Sequence, residues 1–300
     1  MKLVRVRARG ESRFAFVESD DRFRLLPPNL SLADALRSEP GGETVPAGEW
    51  ELLAPVPSPA SLRDFVGHLQ HIRNTRRSRG VVDPLPPEWA ARPAFYFANP
   101  HSLHSCSADI AIPAGSKAFD FELEIAVVVG KGGRDLTLAE AGEAIAGYVL
   151  YCDWSARDIQ TEERAMQIGQ GKGKDSAISL GPWILPAADA APFVRADGLD
   201  FPVSVQVNGE EVTAPGTRYA GMDWTFSELV AYASAGVDLV PGEVIAAGTV
   251  PTGCLLEHSG ADDFRGWLAP GDEVRLSAGP LGEITSTILP GVPLAAWRRP

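Results

Sequence analysis

The chain has little of what staples or anchors a protein. Its three cysteines, Cys106, Cys152 and Cys254, are an odd set without C-x-x-C spacing. That excludes a disulfide framework and offers no zinc knuckle. No run of about eighteen apolar residues occurs, so no segment is expected to cross a membrane as a helix. The N-terminal Met-Lys-Leu-Val-Arg-Val-Arg lacks the apolar region of a secretory signal, and a cytoplasmic location is the expectation. Positive charge is also scarce: 27 Lys and Arg face 39 Asp and Glu, for a net charge of −12. A field of that sign disfavours nonspecific nucleic-acid binding. What is present is 45% hydrophobic content over 300 residues, enough to bury one large core and a smaller second one.

Residues 1–58 read as a small β-rich module. LVRVRAR, RFAFVE and FRLL look like short strands and Ser31 to Arg37 like a short helix, with Pro55, Pro57 and Pro59 as a stiff connector. Residues 59–300 mix short strands with a few capped helices. Thr137-Leu-Ala-Glu140 and Thr225-Phe-Ser-Glu228 are capping boxes, the second helix ending near Gly236. Asn208-Gly209 is a type I′ hairpin signal between Val203 to Val207 and Glu210 to Thr213. The expected class is α+β with antiparallel sheets.

Inside the apolar run Phe119 to Val129 (FDFELEIAVVV) lie Glu122 and Glu124. Side chains alternate faces along a strand, so both carboxylates share one face while Phe121, Leu123 and Ile125 take the other. Two like charges in an apolar segment need a cation or protons to neutralise them, and a divalent metal is the simplest neutraliser. Downstream, Tyr151-Cys-Asp-Trp-Ser-Ala-Arg-Asp-Ile-Gln160 reads as a strand ending at Asp153, then Ser155 as helix N-cap with Asp158 completing a capping-box variant. A carboxylate at a strand end is well placed to serve a loop-lined cavity.

E-x-E, then D-W-S-A-R-D-I-Q, then a G-K-rich loop closing on Leu180-Gly-Pro-Trp183 resembles the fumarylacetoacetate hydrolase superfamily. Val207-Asn-Gly-Glu210 and Pro241-Gly-Glu-Val-Ile-Ala-Ala-Gly-Thr249 extend the likeness over roughly residues 60 to 290. Two features resemble the hydrolase branch in particular. Asp64-Phe65 is followed by His71, and if this segment is helical the two polar residues share a face, with His68 between them. Leu255-Leu-Glu-His-Ser259 resembles the segment carrying the acidic partner of the catalytic histidine. The resemblance implies a mixed β-sandwich roll, a homodimer, and Asp64, Glu122, Glu124 and Asp153 as ligands of Mg²⁺, or of Ca²⁺ or Mn²⁺; carboxylates suit such hard cations. His71 would activate water and Glu257 would orient it. Arg157, Gln160, Lys174 and Thr249 would contact substrate or stabilise developing charge.

Within Gly169-Gln-Gly-Lys-Gly-Lys-Asp175, counting against the hydrolase branch favours Lys174 as the site lysine, and counting against the short acylpyruvase branch favours Lys172. Lys174 is preferred, with Lys172 kept as a substrate contact. The loop is not a phosphate-binding P-loop, whose spacing it lacks. Between His71 and Tyr96 lie Arg73, Arg76, Arg77 and Arg79, then four prolines, a stretch expected to have little regular structure and to be either a lid or binding loop or a solvated or oligomer-facing one. Guanidinium forks there match a carboxylate substrate. Val66 stands where the hydrolase branch has a substrate-contacting tyrosine, and Tyr96 is the candidate replacement. The reaction expected is hydrolysis of a carbon–carbon bond in a 1,3-diketone acid such as an acylpyruvate. Decarboxylation, isomerisation and hydration by the same superfamily chemistry are the alternatives, followed by a noncatalytic small-molecule binding role.

Overall fold

A computed structural model describes residues 1–295; the last five residues assigned to the larger domain lie outside it. Strands Leu3–Ala8, Glu11–Ser19, Arg22–Leu25, Thr44–Pro46 and Glu51–Leu53 form one N-terminal sheet. Leu32–Ala35 is the short helix, its N-cap Ser31 accepting from the Asp34 N–H. The connector is no free tether, because Val56 is buried with Leu3, Phe14 and Leu62 in a shared core.

The remainder is α+β, built on two larger sheets. In the first, the neighbours run Phe95–Phe97, Leu62–Phe65, Val244–Ala246, Leu123–Val129, Ile145–Asp153, Ile178–Leu180 and Leu103–His104. In the second, Phe201–Val207, Glu273–Ala278 and Glu283–Leu289 are the long members. Leu123–Val129 is covered on both faces. Leu123, Ile125, Val127 and Val129 point into the main core with Val205, Leu276 and Ile284 of the second sheet. Ala126 and Val128 lie under the N-terminal module, against the core that holds Phe14 and Phe16. Glu122 and Glu124 continue that even-numbered face beyond the cover, where the sheet opens on a cavity.

Local chemistry sets several elements as expected. Asn208 and Gly209 adopt φ of 55° and 82°, the left-handed pair a type I′ turn requires, with Val207 opposite Glu210. Both capping boxes form, at Thr137 with Glu140 and at Thr225 with Glu228. Thr225→Ala should therefore cost about 1 kcal/mol in denaturant unfolding. A midpoint equal to that of the parent would contradict the role of this cap.

Three local expectations are corrected. Leu62–Phe65 is a strand, so Asp64 and His71 share no helix face. It runs parallel to Val244–Ala246, with Ala246 opposite Asp64, and all four of its residues are buried. A strand covered on both faces loses its period-two signature and imitates a helical stripe. Gly67 ends it, pressed so close to the Ala247 carbonyl that a Cβ would sit 2.6 Å away. The helix is Leu69–Ser78. Ser155 is not an N-cap: Ser155–Ala156 pairs with Phe119–Asp120, and the Ser155 hydroxyl donates to the Asp153 carbonyl at 3.1 Å. Asp158 instead accepts from Ser116 Oγ at 2.8 Å and from the Lys117 N–H at 2.6 Å. Finally, the arginine-rich stretch is largely regular, since the helix Leu69–Ser78 carries Arg73, Arg76 and Arg77 and a turn of helix follows at Glu88–Ala91. No helix among the described residues is long and apolar enough to cross a membrane.

Candidate active site

A cavity of about 450 Å³ opens where four elements of the first sheet end. Asp64 comes from the strand next to Ala246, and Tyr96 lies opposite it in register. Glu124 is on the central strand and Asp153 closes its neighbour. Asp64, Glu124 and Asp153 each present an oxygen within 4.8 Å of the others, and all three are buried. Burial, reinforced by the mutual repulsion of the carboxylates, pushes the pKa values of Asp64 and Glu124 well up and that of Asp153 up.

These residues fit a divalent cation. Asp153 Oδ1 is buried without a hydrogen-bond partner, an orphan a metal would satisfy. Tyr96 donates to Asp64 at 3.1 Å and also to Asp153. Glu124 accepts from the Gly248 N–H at 3.1 Å and from Thr249 Oγ1 at 3.3 Å, which fixes its orientation. An all-oxygen donor set of this kind suits Mg²⁺, Mn²⁺ or Ca²⁺. Glu122 stands beside the trio with its oxygens differently engaged. Arg157 Nη2 lies 2.7 Å from Oε1, and Lys174 Nζ bonds Oε2. Burial opposes the charge on Glu122, yet Arg157 and Lys174 outweigh it and hold its carboxyl far below the usual range.

Lys174 is the lysine in the site. It is 4% exposed, and its ammonium also bonds Asp153 at 2.5 Å. Burial acts against that charge, but Asp153 and Glu122 overcome it and raise the Lys174 pKa. Lys172 points outward to Asp175, away from the carboxylates.

His71, in the first turn of its helix, faces the cavity. Its Nδ1 lies 2.7 Å from Glu257 Oε1, and its Nε2 is 4.0 Å from Glu122. Glu257 Oε2 accepts from Asn74 and from the Thr252 N–H at 2.9 Å. A carboxylate can only accept, so in the neutral imidazole Nδ1 carries the proton and Nε2, the nitrogen on the cavity side, is the acceptor. Arg157 spans the site: it donates to Asp120 at 2.8 Å and to Gln160 at 3.0 Å as well as to Glu122.

Asp120, Asn74 and Arg164 are not among the residues that the motifs single out. Asp120, fully buried, accepts from Arg157 and from the Leu255 and Leu256 N–H groups, tying the cavity to the turn that carries Glu257. Its signal was present, since Asp120 precedes Glu122 and Glu124 at the same period of two. Asn74, which steadies Glu257, sits three residues after His71 on one helix face. Of the four arginines, Arg76 and Arg79 line the cavity, joined by Arg164; Arg73 and Arg77 border a separate surface groove. Val66 also lines the cavity.

Known proteins carry the same plan. Residues 61–289 match the family model described as fumarylacetoacetate (FAA) hydrolase C-terminal, and residues 1–55 match one described as Rv2993c-like, N-terminal. A fumarylacetoacetase of Oryza sativa subsp. japonica is 30% identical over 311 residues, covering 83% of this chain and 72% of the relative. The chain spans 63% of the length of the rat and cattle fumarylacetoacetases it also matches. Among solved structures, fumarylacetoacetate hydrolase from Exiguobacterium antarcticum superposes with a TM-score of 0.72 at 26% identity, over 97% of this chain and 99% of that one. A probable 2-hydroxyhepta-2,4-diene-1,7-dioate isomerase from Mycobacterium abscessus gives 0.73 at 26%, over 98% and 100%. The family model's span across both sheets and the residues of the cavity places this chain in the fumarylacetoacetate hydrolase superfamily.

Proposed function

We propose that the protein is a metal-dependent hydrolase that cleaves a carbon–carbon bond in a 1,3-diketone acid, an acylpyruvate or a fumarylacetoacetate-like compound. The observation that carries this reading is the pair His71 and Glu257, in which Glu257 holds Nδ1 and leaves Nε2 free for the cavity side. Asp64, Glu124 and Asp153 would hold the cation, with Glu122 beside them. Bound there, a divalent cation supplies Lewis-acid polarisation of a substrate carbonyl. His71 Nε2 takes a proton from water as the water oxygen bonds to the carbonyl carbon. Glu257 stabilises the resulting imidazolium. The carbon–carbon bond then breaks, and its electron pair leaves on carbon, which takes the proton back from Nε2. Lys174, Arg157, Gln160 and Thr249 supply donors to oxygen atoms as charge develops on them.

Substrate recognition is assigned to the cavity mouth. Arg79 and Arg164 have no ion-pair partner among the described residues, and both line the opening. Partial desolvation, then repulsion from Arg164 and Arg157, lowers the Arg79 pKa to about 10, which a bound carboxylate would relieve. Arg79→Ala should raise KM for a diacid by about tenfold or more, the worth of a charged hydrogen bond, and should change kcat less. An unchanged KM would remove Arg79 from recognition.

Isomerases, decarboxylases and hydratases of the superfamily form the second reading, the isomerase among them supported by the Mycobacterium abscessus neighbour. The isomerases and decarboxylases enolise substrate without needing an activated water, and a hydratase adds water across a double bond with no carbon–carbon cleavage. A screen of metal-supplemented protein over acylpyruvates, fumarylacetoacetate-like acids and oxaloacetate discriminates: two carboxylate-bearing fragments are expected. Carbon dioxide or a shifted double bond as sole product would overturn the hydrolase reading. The same preparation, sized by light scattering, tests the homodimer that the family likeness implies.

A further inference from the structure

The helix Arg157–Ala165 buries a polar face. Its buried residues are Arg157, Gln160 and Glu163, at intervals of three, where a surface helix ordinarily buries apolar side chains. The first two belong to the site already described. Glu163, 8% exposed, turns instead to the following loop. Its carboxylate accepts from three successive backbone N–H groups, Gly171 at 3.3 Å, Lys172, and Gly173 at 3.2 Å. Both glycines are needed for that approach. A Cβ on Gly171 would lie 2.7 Å from Glu163 Oε1, and one on Gly173 would lie 2.5 Å from Gln160 Cγ.

Nothing apolar anchors this loop. Every residue from Arg164 to Gln170 is exposed, including Met166 and Ile168 at 63% and 60%. Two side-chain ties remain, the Glu163 carboxylate and a bond from Gln160 Nε2 to Gln170 Oε1 at 2.7 Å, beside the Ile168 N–H bond to the Glu163 carbonyl at 3.1 Å. The turn Lys172–Lys174 that follows delivers the Lys174 ammonium between Glu122 and Asp153.

We propose that Glu163 is a positioning residue for Lys174: its carboxylate gathers the 171–173 amides into the turn that holds the lysine in the cavity. Only an acceptor can serve three donors. A glutamine in its place turns two N–H donors toward at least one of those amides.

Lysine acetylation by N-hydroxysuccinimidyl acetate, followed by peptide mass mapping, tests this directly. In the parent protein Lys172, 66% exposed at its side chain, labels readily, and Lys174, at 4%, is protected. In Glu163→Gln, Lys174 should label about tenfold faster or more, as loss of a charge-assisted hydrogen bond predicts, and amides 171–173 should lose exchange protection. Lys117 and Lys131 serve as internal controls at unchanged rates. Gly171→Ala displaces the turn from the loop side and should give the same pattern, which keeps the test open if Glu163→Gln folds poorly. A kinetic arm rests on the proposed hydrolase reaction. With Mg²⁺ and an acylpyruvate, Glu163→Gln combined with Lys174→Met should be no slower than Lys174→Met alone, because a residue acting through another is non-additive with it. Lys174 still protected in both variants, or losses that multiply, would overturn the proposal. If the parent turns over no acylpyruvate while the labelling pattern appears, the hydrolase reading fails and the positioning role stands.

Discussion

Treatment with EDTA should abolish turnover, and Mg²⁺ or Mn²⁺ should restore it. The expectation follows from Asp64, Glu124 and Asp153, three buried carboxylates within 4.8 Å of one another whose one direct cationic partner among the described residues is Lys174, bonded to Asp153. Without metal, burial and mutual repulsion raise the pKa values of Asp64 and Glu124 well above the ordinary carboxylate range. A carboxyl raised on folding contributes stability that is fully present below its unfolded pKa and is lost as pH rises through its folded pKa. For these two groups the metal-free protein therefore loses stability from acid toward alkali, and a bound cation returns it. Binding also displaces the protons, so apparent affinity weakens as pH falls. At a metal concentration a hundred times Kd the folded state gains about 2.7 kcal/mol, which for a chain of this size raises Tm by several degrees. Asp153→Ala or Glu124→Ala should remove both the activity and the metal-dependent shift in Tm. Full turnover by rigorously metal-free protein would sink the assignment of these carboxylates.

Much of this arrangement is written locally. The shared face of Glu122 and Glu124 needs only the period of a strand, and the same parity reaches back to Asp120. Asn208-Gly209 and the boxes at Thr137 and Thr225 are decided by residues within reach of their own backbone. Asp64 is different. Its strand is specified by partners at Val244–Ala246 and Phe95–Phe97, far along the chain, and burial on both faces removes the alternation that would announce it. Ser155 has the chemistry of an N-cap, but pairing with Phe119–Asp120 claims its backbone first. Asn74 and Asp120 are invisible for a related reason. Each acts on a segment more than a hundred residues away, Asn74 on Glu257 and Asp120 on Leu255 and Leu256, so their roles exist only once the sheets have assembled. The turn of Glu163 toward Gly171 and Gly173 is short in sequence, yet no propensity rule predicts which acceptor a glycine-rich loop will meet.

His71→Ala should lower kcat by about 10²- to 10⁴-fold, the usual worth of a general base, with the metal-dependent rise in Tm preserved. The separation is expected because His71 is bonded to Glu257 through Nδ1 and stands apart from the Asp64, Glu124 and Asp153 trio. Glu257→Gln attacks the same step from behind. Its Oε1 could still accept from His71, but the amide would meet the Asn74 side chain and the Thr252 N–H, both donors, where Oε2 now accepts. Either the amide turns over and faces Nδ1 with a donor, which favours the wrong tautomer, or two buried donors lose their acceptor. Both outcomes withdraw the lone pair of Nε2 or its stabilised conjugate acid. The double variant should be little slower than His71→Ala, since Glu257 acts through the imidazole it orients. Near-normal turnover by His71→Ala would show that no activated water is needed, and the cavity would then belong to an enolising decarboxylase or isomerase built on the same carboxylates.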